Sequence, residues 1–446
     1  MKTPIVDFVR DYTAREVSRF HMPGHKGKPF LGVEAMDITE VAGADVLYDA
    51  AGIIEESEHN ATALFGSAHT YYSTEGSTLA IKAMLSLVAT SLPRGTRPHF
   101  LAARNAHKSF LYGAALLDAQ VTWMYPTRAS HLCACPLTEG DVEEALERCE
   151  KKPHAVYLTS PDYLGNVADV AGISAVCDAH GVPLLVDNAH GAYLQFLSPS
   201  CHPLALGAAM CADSAHKTLP VLTGGAYLHI SGKAPECYVK NARNALSLFA
   251  STSPSYLVLQ SLDLCNEYLA NGYPDRLAAC VRRVERVRSA LAAYGYALAG
   301  SEPLKIVIEA GKYGYTGEEL ANALREGGVE PEFADEDYLV LMCTPENSDE
   351  DLARLEKMLC ALPKKTPKPP FLAQKITPVS VFSVREAVLA PAESLPIERA
   401  VGRVCAAPAV SCPPAVPIVV AGERVDEAAI SLFRHYGIME ISVIKE

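Results

Sequence analysis

The sequence predicts an α/β protein: a large domain built on a mainly parallel sheet, then a small α+β domain and a C-terminal module. Three observations carry this. Between Thr70 and Ile230 short β-rich runs alternate with helix-length segments, the pattern of strand-helix-strand units. A second, shorter alternation follows from "LKIVIEA" to "SDEDLARLEKMLCAL". Between that and the last seventy or so residues stands "LPKKTPKPPFL", whose four prolines and few apolar residues mark a linker.

The elements follow in order. "HTYYS" precedes the helical "TLAIKAMLSLVATSL", "RPHFLAA" precedes "KSFLYGAALLDA", and "HAVYLTS" precedes "VAGISAVCDAHG". Then come "VPLLVDNAHG" and "GAAMCADSAHK". Pro153 and Pro183 stand before two of these strands, where a missing N–H is tolerated. "SPSYLVLQSLDLCNEYLANG" and "YPDRLAACVRRVERVRSALAAYG" read as two amphipathic helices. The expected divisions are residues 1–60, an N-terminal segment reaching the active site; 61–300, the large domain; 301–365, the small domain; and 366–446, the C-terminal module.

Composition narrows the function. With 446 residues, 49% hydrophobic and 20% charged, the chain is globular and too long for one ordinary core. A formal charge of -13 argues against nucleic acid or a membrane surface as partner, because both attract basic faces. The thirteen cysteines are scattered without a disulfide or C-x-x-C pattern. The charged "MKTPIVDFVRDYTAR" lacks the apolar run of an export signal, and no apolar stretch is long enough for a membrane span. A soluble protein of the reducing cytosol is expected.

In parallel sheets ligands sit beyond the carboxyl ends of the strands, and four strand ends carry one chemical theme. In "STEGSTLAIK", Gly76, Ser77 and Thr78 open a helix directly after a strand. Free N–H groups, the helix dipole and two hydroxyls suit a phosphate, although a plain Ser/Thr cap has the same appearance. Asn105 and His107 follow the next strand, and a histidine there can lie flat on a cofactor ring or be an ordinary loop residue. Asp187 ends the most apolar strand, and His190 comes three residues later. A buried carboxylate needs a partner. Last, "ADSAHKTLP" sets Ser214, His216 and Lys217 among small and apolar residues. A lysine so placed can become a nucleophile. A phosphate cup, a ring-stacking histidine, an aspartate for a pyridine nitrogen and a lysine for a Schiff base are the parts that pyridoxal 5'-phosphate requires.

A metal centre is not expected. His21 and His25 in "HMPGHKG" have helical spacing, but Pro23, Gly24 and Gly27 break the helix, and the glutamate of a zinc-protease motif is missing. No Walker A loop or G-x-S-x-G elbow is present.

These residues resemble the fold-type-I pyridoxal-phosphate decarboxylases of ornithine, lysine and arginine, in their short bacterial form. "RFHMPGHKG", "DITEVAGADVLYDAAGII", "ALFGSAHTYYSTEGST", "ARNAHKS", "TSPDYLGNVADV", "VDNAHGAY", "SAHKTLPVLT", "GVEPEFAD" and "AVGRVCAAPAVSCPPAVPIVVAGE" are similar to family segments in the same order. The resemblance implies an aspartate-aminotransferase-like large domain and decarboxylation of a basic amino acid to an amine, a polyamine precursor, through a Schiff base on Lys217. It further implies that His107 stacks on the ring, Asp187 holds the pyridinium proton, and His190 lies beside the ring. Gly76, Ser77, Thr78, Ser214 and His216 would hold the phosphate, and Glu332 and His25 would face the substrate. Sites at a homodimer interface are implied as well. The chain departs from the family at Gly224, where a glutamine is usual, at Ala50 and Ala51, and at Cys412 and Ala415 within "CPPAVP". Two other readings remain: an aminotransferase or carbon–carbon lyase on this fold, though no arginine stands in a recognisable carboxylate-gripping motif, and a non-catalytic binding relative.

Overall fold

The computed structural model describes residues 1–126, 131–369, 371, 378–407 and 416–446. Cys412 and Ala415 lie outside the described residues. Among the described residues up to Ile230 the strands are β1 His69–Ser73, β2 His99–Ala103, β3 Gln120–Met124, β4 Ala155–Thr159, β5 Leu184–Asp187, β6 Met210–Asp213 and β7 Ala226–Ile230. Contacts divide the chain into two compact units, residues 1–96, 154–158 and 170–275 in the first and 97–153, 159–169 and 276–446 in the second.

In the first unit the strand order is β1-β7-β6-β5-β4. Strands β5 and β6 are parallel, with Asp187 paired to Ala212. Every residue of β5, β6 and β7 is buried, so the strands read as continuous apolar runs rather than alternating ones. Strand β7 is the antiparallel member of this mainly parallel sheet: it runs antiparallel to both β6 and β1. Its connection from β6 contains only the one-turn helix Ala215–Thr218, and a link without a full crossover helix returns the chain antiparallel. The helix Gly76–Thr90 buries nine residues around most of its circumference, as expected for a helix enclosed by a sheet and other helices. At the start of the chain, the helix Pro4–Ala14 has Pro at its first position. The N–H groups of Ile5 and Val6 both donate to Asp263 Oδ2, at 2.9 and 3.1 Å, which satisfies donors that a helix leaves open at its N-terminus.

The second unit contains the parallel pair β2–β3. It also holds an antiparallel four-stranded sheet in the order β10-β11-β9-β8, from Leu298–Ala299 (β8), Lys305–Glu309 (β9), Phe333–Ala334 (β10) and Tyr338–Met342 (β11). The helices Gly317–Glu326 and Asp349–Ala361 each start with a capping box, Thr316 with Glu319 and Ser348 with Asp351. The C-terminal part closes around a core of Ile397, Val419, Ile430, Phe433 and Val443 and the antiparallel pair Ala392–Pro396 with Glu440–Ile444.

The proline- and lysine-rich stretch is less free than its composition suggests. Tyr313 Oη donates to the carbonyl of Leu362 at 3.1 Å and Tyr315 Oη to that of Pro363 at 2.8 Å. The Lys368 N–H donates to Gly311 at 2.9 Å, and the Lys365 ammonium sits 3.8 Å from the centre of the Tyr315 ring. The backbone carbonyls, which composition does not reveal, make this a docked strap.

Candidate active site

The first unit brings most of the expected residues together at the ends of β5 and β6 and the start of the Gly76–Thr90 helix. That helix has Glu75 at its N-cap position, and the Glu75 side chain makes no capping bond. Ser77 and Thr78 therefore stand inside the first turn, not at the cap. The Gly76 N–H donates to the carbonyl of Gly224 at 2.7 Å. Gly76 has φ +71°, and a Cβ built there would meet no atom within 4 Å, so the space over the helix start is open. Ser214, just past β6, donates its hydroxyl to Ser77 Oγ at 2.8 Å. Two hydroxyls and a helix N-terminus thus converge on one open space, the donor set that an anion selects.

Asp187 is the last residue of β5 and is 2% exposed. Burial raises its pKa, and the nearby Lys217 charge works against that rise. One carboxylate oxygen accepts the Ala189 N–H at 3.2 Å, the other the Tyr157 hydroxyl at 3.2 Å. Lys217, half-buried in the one-turn helix after β6, has its Nζ 3.1 Å from Nε2 of the buried His190. The lysine whose burial looked expensive thus has an imidazole beside it and a carboxylate near it.

His216 is half-buried, and its Nδ1 donates to the Gly225 carbonyl at 2.9 Å. Burial lowers its pKa. With Nδ1 as the donor, a neutral ring has only an acceptor at Nε2, so this side chain can donate to a phosphate only after taking up a proton.

Gly224 has φ +101°, and a Cβ there would lie 2.7 Å from the Thr74 carbonyl oxygen. The glycine that departs from the family pattern is the residue this backbone requires.

His25 belongs to the N-terminal segment. Its Nδ1 accepts the Gly27 N–H at 3.0 Å, and its Nε2 lies 3.1 Å from Asp37 Oδ2. Two other expected residues belong to the second unit. His107 is the N-cap of the helix Lys108–Leu116, its ring accepting the Ser109 N–H at 3.2 Å. Glu332 is exposed, and its carboxylate accepts the Tyr163 hydroxyl at 2.9 Å.

Sequence reasoning missed several contributors. Tyr157 on β4 bonds Asp187 directly. Asn188 donates its side-chain amide to Asp213 Oδ1 at 2.8 Å, while Asp213 Oδ2 faces His202 Nε2 at 2.9 Å and His229 Nε2 at 3.3 Å, all of them buried. Burial alone would raise the Asp213 pKa, but the two histidines outweigh it and hold the carboxyl well below its usual range. Asp213 carried the same signal as Asp187, an acid closing an apolar strand. Tyr157 and Tyr163 carried none, because tyrosine is ordinary in strands.

Among the described residues, His131 with Asp335 and Asp337 is one grouping of metal-ligand type. His131 Nδ1 accepts the Cys133 N–H at 3.2 Å, and its Nε2 lies 3.1 Å from Asp335 Oδ2 and 3.6 Å from Asp337 Oδ2. A metal at Nε2 needs the proton on Nδ1, which the Cys133 N–H contact disfavours.

The residues gathered in the first unit fit a phosphorylated pyridine: an open N-terminal cup with two hydroxyls, a buried carboxylate, and a lysine whose charge reaches that carboxylate. The fold is that of the fold-type-I pyridoxal-phosphate enzymes. Within that class the chain belongs to the Orn/Lys/Arg decarboxylase family, whose major domain matches residues 3–309 and whose C-terminal domain matches residues 368–440. It is a carboxy-lyase of the basic amino acid type, and its family implies pyridoxal phosphate. The arginine decarboxylase of Bacillus anthracis is 28% identical, over 97% of this chain and 92% of that protein. The constitutive lysine decarboxylase of Escherichia coli is 27% identical over 56% of this chain and 35% of its own. The solved structure of the latter superposes with a TM-score of 0.78 at 18% identity, covering 100% of this chain and 82% of that one. No helix among the described residues is long and apolar enough to cross a membrane.

Proposed function

We propose that the chain is a pyridoxal 5'-phosphate-dependent decarboxylase releasing carbon dioxide from arginine, lysine or ornithine. Arginine is the first to test, because a relative matched over more than nine-tenths of both chains carries that name. The observation that carries the reading is the buried Asp187 near Lys217, on the unit that also places Ser77 and Ser214 at an open helix start.

Lys217 would hold the cofactor covalently, and Gly76, Ser77, Thr78, Ser214 and His216 would hold its phosphate. When bound, the cofactor supplies an electron sink for the bond broken at Cα. Asp187 would keep a proton on the pyridine nitrogen, and its burial would exclude the water that competes for that contact. His190 sits beside the Lys217 amine and is placed to exchange a proton with it. His107 would cover the ring. Glu332, steadied by Tyr163, and His25 would face the substrate, a carboxylate answering the distal cation.

The remaining expectations form part of the same proposal: an N-terminal segment 1–60, a large domain 61–300, a small domain 301–365 and a C-terminal module 366–446, in a cytoplasmic enzyme that makes a polyamine precursor. A homodimer is supported by the N-terminal segment, where Phe20, Phe30 and Leu31 are 96, 79 and 89% exposed. Side chains of this size and exposure are ones that a second copy of the chain would cover.

The test is direct. Protein mixed with pyridoxal 5'-phosphate should develop a visible absorption band that Lys217→Ala lacks, and one of the three amino acids should release carbon dioxide. A protein with no band, or one that moves an amino group to a keto acid without releasing carbon dioxide, contradicts the proposal.

A further inference from the structure

Tyr157 is a buried titratable group whose hydroxyl has no task in the chemistry above. It stands in the middle of β4 with 0% exposure. Phenylalanine has nearly the same shape and carries no polar atom to satisfy, so the hydroxyl needs a reason for being there. Its bond goes to Oδ2 of Asp187 at 3.2 Å, while the Ala189 N–H occupies Oδ1. The 3.2 Å separation exceeds the ordinary range for a hydroxyl on a carboxylate, which leaves room for the contact to tighten.

We propose that Tyr157 is a positioning residue that sets how the proton is shared between Asp187 and the pyridine nitrogen. The inference rests on the cofactor reading above. A carboxylate that accepts two donors is a weaker base than one that accepts a single donor. With the Tyr157 bond in place, Asp187 stays ionised and the proton rests on the ring. Without it, the buried carboxylate competes for the proton and the ring loses part of its pull on electrons. Burial, and then the Asp187 charge, push the phenol far above its usual pKa, so Tyr157 remains a neutral donor at all physiological pH values.

The experiment loads the full-length protein with pyridoxal 5'-phosphate labelled with ¹⁵N in the ring and records the ring-nitrogen resonance. Wild type should show a protonated nitrogen and Asp187→Ala an unprotonated one. If wild type shows no protonated nitrogen, the cofactor reading itself fails. Given that baseline, Tyr157→Phe should shift the resonance toward the unprotonated value and lower kcat about tenfold while changing KM less than about twofold. Site-specific 3-fluorotyrosine at position 157, a stronger donor of the same shape, should leave the nitrogen at least as protonated as in wild type. A Tyr157→Phe protein that melts earlier but keeps the wild-type resonance and kcat reduces Tyr157 to a packing residue and overturns the proposal.

Discussion

The Nζ of Lys217 lies 3.1 Å from Nε2 of His190, although the two residues are 27 positions apart. They meet because β5 and β6 are adjacent and parallel, so both residues follow strand ends at the same edge of the sheet. The contact couples a nucleophilic amine to an imidazole, a side chain able to accept or give a proton. His190→Gln should therefore keep the fold and the absorption band but lower kcat about a hundredfold, the scale of a lost proton-transfer group. Steady-state kinetics over a pH series check this; an unchanged pH profile would count against it.

Restoring the family glutamine at Gly224 should damage this chain. The positive φ and the 2.7 Å approach to Thr74 leave no room for a side chain. Gly224→Gln should lower stability by about 1–3 kcal/mol and weaken cofactor retention, since the Gly224 carbonyl accepts the first N–H of the cup helix. Denaturant midpoints and dialysis against buffer measure the two effects.

Tyr163 and Glu332 form a bonded pair, and their effects should be graded. Glu332→Gln should raise KM for the basic amino acid about a hundredfold by removing a charge-assisted bond. Tyr163→Phe should raise it only a few-fold, with kcat nearly constant. Equal effects on a neutral isostere of the substrate would remove Glu332 from the recognition of the cation.

Asp263 supplies a stability prediction. Burial raises its pKa to about 6, against partial compensation from Ser57 and the Val6 and Ile5 N–H groups. A folded pKa above the unfolded value means that the native state binds the extra proton. The associated stability is complete below about pH 4 and is lost as pH rises through about 6. Asp263→Asn abolishes that loss, so relative to wild type it should gain up to about 3 kcal/mol between those limits. Urea midpoints at several pH values across the window test the sign; a variant that loses ground as pH rises contradicts it.

The strand-helix alternation was legible because β5 and β6 are buried on both faces and so appear as unbroken apolar runs. Asp187, Ser214 and Lys217 were legible for the same reason, each being a polar residue placed directly after such a run. The antiparallel turn of β7 was not, because it depends on the length of a connection whose single helical turn has no periodicity to detect. Tyr157 escaped notice because its importance lies in which oxygen its hydroxyl meets on a neighbouring strand. His202 and His229 were equally hidden: they converge on Asp213 from a loop and from β7, 27 residues apart, and no spacing rule joins them.

The strap formed by residues 362–368 bears on how this chain can be recombined with its relatives. Its carbonyls are held by the phenols of Tyr313 and Tyr315, so the segment that invites a crossover by its composition is fastened to the turn of chain that follows β9. A chimera joined within it inherits a C-terminal part only if the donor of the preceding sixty residues brings both tyrosines. The natural seam for exchanging parts lies before Tyr313, not at the prolines.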